Sequence, residues 1–128
     1  MPGIDEVLAE AMGIPGVLGA SLVDASSGLA LGTAGQGPQG DHEAAAADTT
    51  EVVLAVTRNH SFTGGAAVDG SSLEDVIVTV GGGFHLMRMV RTEFDSQVYL
   101  YVWLDREQGN LAVARHRLRG LSELLVLA

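Results

Sequence analysis

The sequence contains no cysteine and no lysine, and its seven basic residues, all arginine, face sixteen acids. The absence of cysteine excludes disulfides and thiolate metal sites and fits a reducing compartment. A formal net charge of −9 repels phosphate backbones and anionic lipid, which argues against nucleic acid and membrane surfaces as partners. No apolar run approaches membrane-spanning length, and Asp5 and Glu6 stand where a secretory signal would be basic. The expected location is cytoplasmic.

Chemistry-bearing motifs are also scarce. His42, His60, His85 and His116 are scattered, and none pairs at metal-ligand spacing with another histidine or a carboxylate on one element. Ser26 and Ser27 lack the pattern of a nucleophile elbow. Gly35, Gly37 and Gly40 match G-x-G-x-x-G between a predicted strand and a predicted helix, the context of a dinucleotide site. Three features oppose that reading. Pro38 offers no N–H to a phosphate, Asp41 puts a carboxylate where the pyrophosphate would sit, and the preceding strand is the second arm of a hairpin. Gly81, Gly82 and Gly83 lead into a strand and read as a hairpin turn. The expectation is a protein with no metal, no cofactor and no catalytic residues.

What is present is a single domain, residues 1–128, long enough to bury a core without staples. Ile4, Val7, Leu8, Ala11 and Met12 recur at helical spacing until Gly13 and Pro15 stop the helix. Strands are predicted at 17–24 and 29–34, joined by a turn in which Gly28 takes a positive φ. Asp41 is the expected N-cap of a long helix over 41–62. Residues 61–72 read as a connection. Strands at 75–81, 84–91 and 98–104 form a meander, with a turn at 92–97, and a last helix runs over 110–127 with Asn110 as its cap. The run Val98-Tyr99-Leu100-Tyr101-Val102-Trp103-Leu104 is uncharged on both faces and should be the central strand. The fold class is therefore α/β (α+β): a mostly antiparallel five-stranded sheet in the order 2-1-5-4-3, the long helix on one face and the terminal helices on the other.

This order puts the third strand at an edge. Val76, Val78 and Val80 lie in a stretch without charge, proline or bulge signal, the usual protections of an edge. The long helix, expected over that part of the sheet, carries small residues at Ala45, Thr49, Val52, Val53 and Val56. Together these eight residues form the expected interface of a homodimer.

Two segments carry a resemblance. The first is Ile14-Pro15-Gly16-Val17-Leu18-Gly19-Ala20-Ser21-Leu22-Val23-Asp24 with Ser27-Gly28-Leu29-Ala30-Leu31. The second is Leu104-Asp105 followed by Asn110-Leu111-Ala112-Val113-Ala114-Arg115. Both resemble the roadblock, or dynein light-chain type, domain, and the element order matches over nearly the whole chain. The acidic, glycine-rich character is similar to stand-alone members from high-GC bacteria. The resemblance implies a profilin-like fold and a non-catalytic homodimeric module that binds or modulates a small Ras-like GTPase or a related signalling complex. A small-ligand sensor of profilin-like architecture is the alternative.

Overall fold

The computed structural model describes residues 3–63, 73–91 and 97–126. Residues 64–72 of the predicted connection, 92–96 of the predicted turn and 127 of the last predicted helix lie outside the described residues. The first helix, α1 (Ile4–Met12), buries Val7, Leu8 and Ala11. It ends where the Gly13 N–H bonds to the Glu10 carbonyl at 3.0 Å. Strands β1 (Val17–Asp24) and β2 (Leu29–Gly35) follow as a hairpin. Its turn closes through the Gly28 N–H on the Asp24 carbonyl at 2.7 Å, with Gly28 at φ +75°. After a 3-10 turn at Pro38–Gly40, helix α2 spans His42–Thr57, and Asp41 caps it by accepting from the Glu43 and Ala44 N–H groups.

The long predicted helix over 41–62 is in fact two. It breaks at Arg58 and Asn59, and a short α3 (His60–Thr63) follows. The Asn59 side-chain amide donates to the Ala55 carbonyl, satisfying an end-of-helix acceptor that the next turn would otherwise take.

Strands β3 (Asp75–Val80), β4 (Gly83–Val90) and β5 (Val98–Asp105) complete the meander, and α4 (Leu111–Val126) closes the chain. Asn110 caps α4, its side chain accepting from the Val113 N–H at 3.1 Å. The sheet has five strands in the order β2-β1-β5-β4-β3, each pair antiparallel. That order follows from burial, because β5 is the strand with least to expose. Val98, Leu100, Val102 and Leu104 enter one core, and Tyr99 and Tyr101 enter the other.

The larger core lies between the sheet and the two terminal helices, built around Leu8, Ile14, Leu100 and Leu118. Each such fully buried aliphatic side chain contributes roughly 2 kcal/mol of transfer free energy. The second core lies on the opposite face, beneath α2. Among the described residues, no helix is long and apolar enough to cross a membrane.

Candidate functional site

Among the described residues, the outer edge of β3 pairs with no strand, and β3 is bonded to β4 alone. Alternation puts Val76, Val78 and Val80 on the face that carries α2. Val80 is 43% exposed, while Val76 and Val78 are half-buried. The sheet register extends this face inward. Val78 lies opposite His85, which lies opposite Trp103, and Val76 lies opposite Met87, which lies opposite Tyr101.

His85 is the polar member of this surface. Its Nδ1 shares a 2.7 Å hydrogen bond with the Tyr101 hydroxyl. Its ring lies 5.9 Å from that of Tyr101 and 6.5 Å from that of Trp103, stacked with both. Burial lowers the His85 pKa below the usual histidine value, so the imidazole is neutral at neutral pH. Burial, followed by the proximity of Tyr99, raises that of Tyr101, so the phenol keeps its proton. Met87 and Tyr101 are buried in the core beneath α2, while His85, Trp103, Val76 and Val78 are half-buried and uncharged.

Helix α2 packs on β1 and β2, and its Ala46 and Val53 share a core with Met87 of β4, against which Val76 and Val78 also pack. Two of the eight predicted interface residues are redirected. Val53 is 0% and Thr49 9% exposed, and Thr49 bonds to the buried Tyr99 hydroxyl at 2.6 Å. Both are turned into the chain's own core, because the phenol of Tyr99 requires a polar partner there. Ala45, Val52 and Val56 lie on the flank opposite Ala47, counting about 100° per residue. Ala47 itself abuts Gly28 of the β1–β2 turn, so that flank faces away from the turn. Val52 is 36% exposed.

Behind the β3 edge, on the other face, Asp75 is held by two cations. Arg115 of α4 bonds it through Nε at 2.6 Å and through a terminal nitrogen at 3.2 Å. Arg88, its cross-strand partner, approaches to 3.6 Å. These contacts pin the first residue of the edge strand to α4. Arg106 bonds the Val80 carbonyl at 3.0 Å from the strand's other end.

The remaining motifs resolve into local structure. His42 Nε2 meets the Gly35 carbonyl at 3.0 Å, and His60 and His116 are exposed on different helices. Among the described residues, no three possible metal ligands cluster. At Gly35, Gly37 and Gly40 the carboxylate of Asp41 takes the first-turn N–H groups that a phosphate would need. Asp105 similarly accepts from the N–H groups of Glu107 and Gln108 at 3.1 and 2.8 Å. A shallow groove between α1 and α4 is lined by Glu6, Ala9, Glu10, Gly13 and Arg117.

Ser26 and Ser27 serve the β1–β2 turn. Asp24 accepts from the Ser26 hydroxyl at 2.6 Å, the Ser26 N–H at 3.0 Å and the Ser27 hydroxyl at 3.3 Å. The Ser26 hydroxyl is the main cause of a lowered Asp24 pKa; partial burial opposes it. A carboxyl with a depressed folded pKa stabilises above its unfolded value and loses that contribution as pH falls through the folded value. Asp24→Ala is expected to cost about 1 kcal/mol at neutral pH. Its denaturation midpoint should converge on that of the parent as both are acidified below about pH 4. A pH-independent gap would show that the turn does not rely on the carboxylate.

The His85–Tyr101–Trp103 row was not singled out from the sequence. Its signal was the alternation in Gly83–Val90 and Val98–Asp105, which puts residues 85, 87 and 89 on the same face as 99, 101 and 103.

No protein-family model matches the sequence, and no curated protein matches it. Among solved structures, the chain is similar to Myxococcus xanthus MglB, with a TM-score of 0.72 and 22% identity over 97% of this chain and 82% of that one. It is also similar to a Roadblock/LC7 domain from Streptomyces avermitilis, with a TM-score of 0.68 and 18% identity over 97% of this chain and 95% of that one. With the strand order and the helix placement described above, these likenesses establish that the chain has the roadblock/LC7-type fold.

Proposed function

We propose that this chain is a non-catalytic regulatory module of the bacterial cytoplasm that acts as a homodimer and binds a small Ras-like GTPase. The observation that carries the reading is the β3 edge, whose Val76–Val80 run is uncharged and pairs on its outer side with no strand among the described residues. Pairing of two β3 edges about a two-fold axis would satisfy the free backbone groups and join two five-stranded sheets into one. Val76, Val78 and Val80 would meet their mates, and Ala45, Val52 and Val56 of α2 would border the joint. Thr49 and Val53 support it from within. The GTPase part rests on the roadblock-like sequence segments and on the fold. Such a module acts by binding one nucleotide state of its partner more tightly than the other, which shifts the partner's equilibrium without chemistry of its own.

Light scattering tests the dimer. The wild type is expected to be dimeric at micromolar concentration. Val78→Lys places an ammonium in an apolar joint and is expected to cost roughly 3 kcal/mol, over a hundredfold in dissociation constant. A monomeric wild type, or a dimer unaffected by Val78→Lys and Val52→Glu, sinks the interface. For the partner, Ras-like GTPases of the same cell are loaded with GDP or a non-hydrolysable GTP analogue and titrated by calorimetry. Binding with a preference for one state is expected, and absence of binding in both states overturns this part.

A further inference from the structure

The first 57 residues hold eight of the sixteen carboxylates and no arginine; all seven arginines lie at position 58 or later. Those first residues build α1, β1, β2 and α2, which are neighbours in space, with both helices packed against β2. The charged side chains of these four elements are therefore all carboxylates, and Arg117 of α4 meets the flank of α1 that carries Glu6 and Glu10.

The β2 end of the sheet is also an open edge. Among the described residues β2 pairs with β1 alone, and its sequence, LALGTAG, has no charge and no proline. Leu29 and Leu31 are 59% and 50% exposed. The register with β1 shifts between Leu22 and Val23, so Leu31 is the extra residue of a bulge, which interrupts the ladder locally and leaves Gly32–Gly35 as the regular stretch of the edge. Two helices frame the edge from above and below. On one face, a side chain at Gly32 would meet Ile4 and Leu8 of α1 at 2.8 and 3.0 Å, and exposed Asp5 adjoins Ile4. On the other, Ala47 abuts Gly28, and exposed Glu43 and Glu51 share its flank at one-turn intervals. Asp24 stands at the turn where β2 begins.

We propose that the β2 edge is a docking edge for an extended, basic segment of a partner protein. The segment would add as a further antiparallel strand, its backbone satisfying the free groups of β2 and its apolar side chains covering Leu29 and Leu31. Its lysines and arginines would reach Asp5 on one face and Glu43 and Glu51 on the other. Charge selects this occupant. A second copy docking here would bring like-charged rims within a Debye length of about 8 Å, whereas a basic strand replaces that repulsion with attraction and speeds encounter. The proposal does not depend on dimerisation through β3.

The test uses a blocked octapeptide of alternating lysine and valine as probe, titrated into isotopically labelled full-length protein. Three comparison peptides are its glutamate–valine counterpart, a same-charge version interrupted by central prolines, and a scrambled block of the same residues. The lysine–valine peptide is expected to shift the backbone amides of residues 29–35, and its binding should weaken steeply with salt. Leu31→Lys, at an exposed side chain, should weaken it roughly tenfold or more. Glu43→Gln with Glu51→Gln should weaken it severalfold with the leucines intact. Val78→Lys, at the other edge, should leave it unchanged. The proposal is overturned if the amides of β2 do not respond, if Leu31→Lys binds as the parent does, or if the glutamate or proline-interrupted peptide binds equally well. It is also overturned if the peptide does not bind while Leu31→Lys dissolves wild-type assemblies larger than a dimer, since the occupant is then a second copy.

Discussion

Gly19→Ala is expected to lower the unfolding free energy by roughly 3 kcal/mol and the melting midpoint by about 10 °C or more. A β-carbon at this position would lie 1.8 Å from the carbonyl oxygen of Gln36 and 2.8 Å from its carbon. Neither atom belongs to a flexible side-chain end, so relief requires backbone movement. The Gln36 backbone is itself fixed, its N–H donating to the Leu18 carbonyl at 2.9 Å. Moving it would strain the end of β2, where Gly19 pairs with Gly35, and the entry to α2. Gly81→Ala provides the comparison. A β-carbon there meets nothing within 4 Å, and the effect should stay within about 0.5 kcal/mol. Urea unfolding of both variants decides the matter. A Gly19→Ala protein within about 1 kcal/mol of the parent, the noise of such a comparison, would mean that the segment at Gln36 moves freely.

The second large effect belongs to Tyr99, which is 0% exposed at the centre of the core beneath α2. Its hydroxyl lies 2.6 Å from Thr49 Oγ1, 2.8 Å from Thr50 Oγ1 and 3.2 Å from the Ala46 carbonyl oxygen. Thr49 Oγ1 in turn donates towards the Ala45 carbonyl at 2.9 Å. Tyr99→Ala removes the ring, opens a cavity against Val23, Val53 and Met87, and is expected to cost roughly 4 kcal/mol. That is a large share of the 5–15 kcal/mol typical of a domain, so partial unfolding near body temperature should be visible. Tyr99→Phe keeps the ring and removes the hydroxyl, for an expected cost of about 1 kcal/mol. Thermal and chemical unfolding of the pair separates ring burial from the hydrogen-bond cluster. Equal losses in the two variants would contradict the division, and an unchanged Tyr99→Phe would show that the threonines find other partners.

The interaction surface was legible in the sequence only in part. The β3 edge could be read, because Val76–Val80 lacks the charges and prolines that blunt edges, and β5 had to be central. The flank at Ala45, Val52 and Val56 could be read as small and apolar. The pairing of Asp75 with Arg115 could not, since forty positions of sequence separate them and only the docking of α4 on β4 closes that distance. The confinement of all arginine to position 58 and later is visible in the sequence, but its meaning required the two helices to be placed over one strand.

The sequence by itself determined the strands, the helix starts and the strand order, but not the break of the long helix at Arg58 and Asn59. Period-two alternation marks the strands, Asp41 and Asn110 mark helix starts, and a central run apolar on both faces leaves one place for β5. These are short-range signals, and each acts through the backbone within a few residues. Tertiary structure alone decided where α2 lies and which way it faces. Helix α2 is small-sided nearly all the way round, so its periodicity names no dominant buried face. Its orientation was settled by the one buried phenol that needed hydroxyl partners, which drew Thr49 and Thr50 inward with Val53. The close approach of Gly19 to Gln36 is likewise absent from any local pattern, because it arises only when the end of β2 folds back across β1.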